Sequence, residues 1–229
     1  MRTNNTNRRD FIGKLAGTAA LVGVGAVSYP SMARAESDRS AADAADPDVW
    51  FKSLKGKHRI VFDATVPKEL LTFAWPKVFL MSNTGTGTPE TDCGVVVVLR
   101  HDAVPYALGD SLWAKYKFGE AFKINDPQTK AAALRNPFWK CKPDDYKVPG
   151  LGAVQIGIDD LQASGVMFCV CDVALTVHSA VFAMNTNQEA AAVKKEWLEG
   201  LLPAVQPMPS GVWAVGRAQE HGCTYCFAG

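Results

Sequence analysis

Gly94-Val95-Val96-Val97-Val98-Leu99-Arg100 sets four consecutive valines between a glycine and an arginine. β-Branched side chains are stiff at χ1 and suit extended backbone, and a run with no polar alternation predicts a strand covered on both faces. Such strands belong to parallel sheets, whose crossover helices pack on either side. Outward from this run, four more apolar stretches recur at 58–63, 166–170, 202–206 and 223–227. The segments between them predict helices over 68–81, 151–164, 171–183 and 188–198. Pro76 marks a kink or break in the first, and Gly165 stands at C′ of the second. A last helix starts at Pro209-Ser210-Gly211, with proline at or near N1, and stops at Gly222. This alternation argues for an open, mostly parallel five-stranded α/β sheet. Residues 108–150 stand outside the repeat. They carry Trp113, Tyr116, Phe118, Phe122, Phe138, Trp139 and Tyr146 among Asn-Asp-Pro and Asn-Pro turn signals, and are expected to pack as an insertion or to make oligomer contacts.

The chain has 229 residues with 24 basic and 23 acidic side chains. Residues 1–35 hold five of the basic groups and one acid, so the remaining 194 residues carry 19 basic and 22 acidic groups, a balance of −3. A body of that size buries about 70% of its unfolded surface, enough for one core. The slightly acidic balance and the lack of a basic cluster argue against nucleic acid or an anionic membrane surface as partners.

Asn7-Arg8-Arg9-Asp10-Phe11-Ile12-Gly13-Lys14 resembles a twin-arginine export signal. A weakly apolar stretch, 15–27, follows, and Ala33-Arg34-Ala35 has the small-x-small cleavage pattern. As a helix that stretch spans roughly 20 Å, short of a hydrocarbon core of about 30 Å. The expectation is a removed signal over 1–35, an Ala/Asp/Ser-rich linker over 36–48, a domain over 49–229, a periplasmic location, and no membrane attachment once the signal is gone.

The stretch 158–175, Ile-Asp-Asp-Leu-Gln-Ala-Ser-Gly-Val-Met-Phe-Cys-Val-Cys-Asp-Val-Ala-Leu, resembles the DsrE/DsrF-like family: a helix ending L-x-x-x-G-V, a short strand, a cysteine at its end and a leucine four residues on. Residues 95–108, 210–219 and 222–225 agree with the same pattern. The resemblance implies a three-layer α/β/α sandwich that assembles into homo- or hetero-oligomers. For some members it also implies a sulfur-carrier role, in which the cysteine at the position of Cys171 holds a persulfide and exchanges it with a protein donor or acceptor.

Read from the residues alone, Cys171 falls at the carboxyl end of a strand and the first turn of a helix, where ligands collect in open α/β sheets. Helix N–H groups favour a thiolate there, and Asp172 opposes it. Arg100 and His101 end the second strand on the same sheet edge, where they either face Cys171 with positive charge or serve as a surface arginine and a turn histidine. His178, about 10 Å further along the helix axis, is expected at the surface or an interface. Ser210 and Gly211 open the last helix with N–H groups suited to an anion. Six cysteines in an exported chain make Cys93, Cys141, Cys223 and Cys226 candidates for disulfides, and Cys169 reads as core.

Cys223-Thr224-Tyr225-Cys226 is a C-x-x-C, but residues three apart on a strand point to opposite faces. No further ligands at zinc spacing, no Walker loop and no G-x-S-x-G or H-E-x-x-H motif occur, so no metal or cofactor is expected. The leading expectation is an exported persulfide carrier or thiol-handling protein acting through Cys171. The alternative is a non-catalytic oligomeric ligand-binding or assembly module, and the third reading is a thiol-disulfide oxidoreductase using Cys223 and Cys226.

Overall fold

In the computed structural model, which describes residues 46–229, the valine run becomes the middle strand of the sheet. The chain runs through β1 (His58–Ala64), α1 (Leu71–Gly85), β2 (Cys93–Leu99), α2 (Asp110–Tyr116), α3 (Phe118–Ala121), β3 (Lys147–Val148), β4 (Gly152–Ala153) and α4 (Ile158–Ala163). It continues through β5 (Met167–Cys171), α5 (Asp172–Thr186), α6 (Ala190–Glu199), β6 (Val205–Met208), α7 (Gly211–Glu220) and β7 (Thr224–Phe227). Short 3₁₀ helices occupy Pro47–Ser53, Glu90–Asp92 and His101–Ala107. The expected signal at 1–35 and residues 36–45 of the expected linker lie outside the described residues, whereas Pro47 and Asp48 already belong to the first 3₁₀ helix.

Five strands pair in parallel in the order β6-β5-β2-β1-β7, and all seven residues of β2 are buried. Alternate residues of the valine run feed two cores. Val95, Val97 and Leu99 join Phe73 of α1, Leu161 of α4, Leu175 of α5 and Trp197 of α6 in the larger one. Val96 and Val98 join Phe51, Leu54, and Ala214 and Ala218 of α7 in the smaller one. The fold is therefore a three-layer α/β/α sandwich. Its layering follows from handedness: β1, β2, β5 and β6 step in one direction, so right-handed connections lie on one face, and the return from β6 to β7 crosses on the other.

The connection between β2 and α4 is held by burial. Trp113 and Phe118 are fully enclosed, and Phe138, Tyr116 and Tyr146 are nearly so. Doubling a loop's length costs only about 0.6 kcal/mol of closure entropy, while each buried large side chain returns about 1.5–3 kcal/mol, so the aromatics decide the matter.

Three boundaries differ from the sequence reading. The helix expected over 151–164 spans only Ile158–Ala163, because Gly150 and Gly152, at φ +82° and +77°, turn the chain into the β3-β4 hairpin first. The fourth strand is Val205–Met208 instead of 202–206: Leu202 N–H donates to the Ala107 carbonyl, and Ala204 is left-handed at φ +57°. The last helix is capped by Ser210, whose Oγ accepts the Trp213 N–H at 3.2 Å, so Pro209 precedes the cap. Pro76 does not end α1, which continues through it. Among the described residues no helix is long and apolar enough to cross a membrane.

Candidate functional site

β5 and β6 are neighbours that send their chains to opposite faces, β5 into α5 on the larger core and β6 into α7 on the smaller. Diverging exits at adjacent carboxyl ends open a crevice, the usual place for ligands in such sheets. A cavity of about 320 Å³ lies there, with Cys171, Arg100, His101, Ser210 and Gly211 all in its wall. Val173, Val177 and Val212 line its mouth and are 45%, 56% and 67% exposed, so the entrance is apolar.

Cys171 ends β5 and caps α5, its Sγ accepting the Ala174 N–H at 3.2 Å. The sulfur therefore stands at the N-terminus of α5, at the positive end of the helix dipole. The neighbouring Asp172 is less of an obstacle than its position suggests. Its Oδ2 is ion-paired at 2.8 Å to Lys194 of α6, which draws its charge away from the sulfur.

Register explains Arg100. The last β2-β5 pair is Leu99 with Val170, so the next residues, Arg100 and Cys171, end adjacent strands. The Arg100 side chain turns toward β1, where its Nε and Nη2 donate to the two oxygens of Asp63 at 2.6 and 2.8 Å. Asp63 is buried and also accepts the Tyr225 hydroxyl from β7 at 3.0 Å. This hydrogen bond to Asp63 raises the arginine's proton affinity against the opposing effect of burial. The guanidinium is thus fixed in an ion pair with Asp63, while Arg100 lines the cavity. Gly211 allows the close approach, since a Cβ there would stand 2.5 Å from Arg100 Cβ.

His101, at φ +51°, is a non-glycine residue in left-handed backbone at the strand end, and its ring is 64% exposed. Its carbonyl lies 3.1 Å from His178 Nε2, and the Asp102 carboxylate lies 3.4 Å from His101 and 3.5 Å from His178. His178, expected at the surface or an interface, lines the same cavity with its side chain 19% exposed. Burial lowers its pKa, ahead of the opposing pull of Asp102.

The other cysteines lie elsewhere. All six are free thiols in this structure, so none of the disulfide candidates Cys93, Cys141, Cys223 and Cys226 is bridged. Cys223 belongs to the smaller core and Cys226 packs against the larger one, which separates the two sulfurs of the C-x-x-C by the thickness of the sheet. Burial pushes the Cys141 thiol up to about 12 and that of Cys223 up to about 11, and it raises Cys93 and Cys169 as well. Protonated thiols are poor nucleophiles. Among the described residues no cluster of His, Cys, Asp and Glu is arranged to hold a metal ion.

Asp63, Tyr225, Asp102 and Lys194 were missed in the sequence reading. Asp63 alone carried a signal, as an acid closing an apolar strand in a chain where buried carboxylates need partners.

No family model matches the chain, and no curated protein matches it. Among solved structures, a protein of unknown function from Methanobacterium thermoautotrophicum is similar over 74% of this chain and 98% of its own, at 16% identity and a TM-score of 0.38.

Proposed function

We propose that this protein carries sulfur as a persulfide on Cys171, exchanging it with a protein donor and a protein acceptor. The observation that carries the reading is the position of Cys171 Sγ, hydrogen-bonded to a helix N-terminal N–H and opening on a cavity that also holds Arg100. In uptake the Cys171 thiolate attacks the outer sulfur of a donor persulfide. A new S–S bond forms at Cys171, the donor's S–S bond breaks, and the donor leaves as a thiolate while the transferred sulfur keeps its proton. Delivery is the same exchange in reverse toward an acceptor thiolate, with no net oxidant. The resemblance of 158–175 to the DsrE/DsrF-like family supports this chemistry, and the Arg8-Arg9 pattern supports export to the periplasm.

Intact-mass analysis with and without polysulfide tests it. One added sulfur atom is expected on the native protein and none on Cys171→Ala. A wild-type protein that gains no sulfur, or gains it equally without Cys171, refutes the reading.

One observation favours the second reading, an oligomeric module without chemistry. Val173, Val177, Val181 and Met184 follow one another at helical spacing on α5 and are all exposed. For this reading Val177→Glu changes the mass measured by light scattering. For the carrier reading Cys171→Ala abolishes sulfur uptake whatever the assembly state.

A further inference from the structure

A second cavity, of about 770 Å³, lies between the 108–150 connection and the segment that leaves β1. Tyr106, Phe138 and Tyr146 give it an aromatic floor, with Tyr106 edge-on to Phe138 at 5.3 Å and Tyr146 stacked on Phe138 at 4.9 Å. Leu70 and Ile124 add apolar sides. The volume is within the usual range for small-molecule sites.

The phenol at the base is the informative group. Tyr146 donates its hydroxyl to the Pro137 carbonyl at 2.8 Å, and Tyr116 donates to Glu196 at 2.6 Å. Tyr106 is 1% exposed and its backbone carbonyl accepts from the Asn136 side-chain amide at 2.9 Å, yet among the described residues its hydroxyl has no hydrogen-bond partner. Thr72 Oγ1 and Trp197 Nε1 are unpaired but sealed in protein, whereas Tyr106 lines the cavity. Buried polar groups are ordinarily paired, and an unpaired one costs about 1–3 kcal/mol. Burial raises the pKa of Tyr106, so it stays a neutral donor and requires an acceptor.

The rim supplies the charge. Asp126 is held by Arg135 at 2.9 Å and by two backbone N–H groups, Asp145 by Gln128 and the Lys142 N–H, and Asp144 by Lys147 at 3.5 Å. Lys123, Lys130 and Glu69 also line the rim with no ion pair to any of the three among the described residues, and Lys130 Nζ donates to the Pro127 carbonyl at 2.6 Å. Donors at both the base and the rim, with aromatic surface between them, select an elongated acceptor-bearing anion.

We infer that this cavity binds a small ring-bearing organic acid, with an acceptor oxygen on the Tyr106 hydroxyl, its ring against Phe138 and Leu70, and its carboxylate at Lys123 and Lys130. The site is separate from the Cys171 chemistry and uses none of its residues.

Calorimetric titration of the full chain with para-hydroxycinnamate, cinnamate and para-hydroxycinnamamide tests the assignment. Saturable binding of para-hydroxycinnamate is expected. Cinnamate, which lacks the ring oxygen, binds roughly fivefold more weakly, the worth of one neutral hydrogen bond. The amide is weaker than the acid by a similar factor. Tyr106→Phe, which keeps the ring and removes only the hydroxyl, brings para-hydroxycinnamate down to the affinity of cinnamate and leaves cinnamate unchanged. Lys123→Met weakens both acids and leaves the amide unchanged. The comparison of the three probes on the unaltered protein stands even if a variant fails to fold. Absence of saturable binding, equal affinity for acid and amide, or insensitivity to Tyr106→Phe overturns the inference. So does a crystal structure with para-hydroxycinnamate that shows only water on Tyr106 Oη.

Discussion

Asp63→Asn tests whether the Asp63–Arg100 pair holds the cavity wall. The substitution preserves shape but replaces one acceptor oxygen with an amide donor, opposite a guanidinium that donates to both oxygens at 2.6 and 2.8 Å. Removing one partner of a buried ion pair costs about 3–5 kcal/mol. Arg100 is 28% exposed and regains some water, so a cost of about 2–3 kcal/mol is expected, the range of hydrogen bonds to charged groups. For a domain of this size each kcal/mol moves the melting temperature by roughly 2–4 °C, which gives a fall of roughly 4–12 °C. Urea unfolding of Asp63→Asn, Arg100→Met and the double variant measures the coupling, which is expected to reach at least ~1 kcal/mol. The freed guanidinium also adds positive potential at the cavity, so iodoacetamide modification of Cys171 speeds up in Asp63→Asn and slows in Arg100→Met. Additive losses in the cycle, or alkylation rates that do not separate the two single variants, would refute the argument.

Gly211→Ala sets a methyl 2.5 Å from Arg100 Cβ, atoms with no freedom to swing aside, and is expected to cost about 1–3 kcal/mol in urea unfolding. Lys194→Met removes the partner of Asp172; stability falls by less than about 1 kcal/mol, as for other partly exposed pairs, but Cys171 alkylation at neutral pH slows because the carboxylate is no longer balanced. The lowered pKa of His178 means that the unfolded chain binds its proton first. Its contribution to stability is complete above about pH 6.5, the unfolded value, and is lost as the pH falls toward the folded value. Urea midpoints across that window are expected to fall more steeply for the native chain than for His178→Gln.

The sheet was legible because β2 declares itself: four valines with no polar alternation admit no exposed face. Cys171 was legible for a related reason, since a strand end followed at once by a helical pattern fixes its place without knowledge of strand order. What surrounds it was not. Asp63 and Tyr225 meet Arg100 only because β1 lies between β2 and β7, an order that no local pattern encodes. Lys194 reaches Asp172 through the packing of two successive helices, so the spacing of 22 residues says nothing in advance. The partners of His178 were not legible either, since His101 and Asp102 come from the chain after β2. The helix expected over 151–164 starts late, at Ile158, because Gly150 and Gly152 at positive φ turn the chain first.

The unequal cores have a dynamic consequence. Among the described residues the larger face is covered by several helices and the long aromatic connection, but the smaller one only by ten-residue α7 and the seven-residue 3₁₀ helix at its side. α7 also begins with Ser210 and Gly211, which close one wall of the Cys171 cavity. Undocking of this single helix is expected to open the crevice while the five-stranded ladder stays paired. The free energy at which α7 amides exchange with solvent would then be a ceiling on the work of admitting a bulky partner, and it is expected to lie below the global unfolding energy that governs exchange in β2.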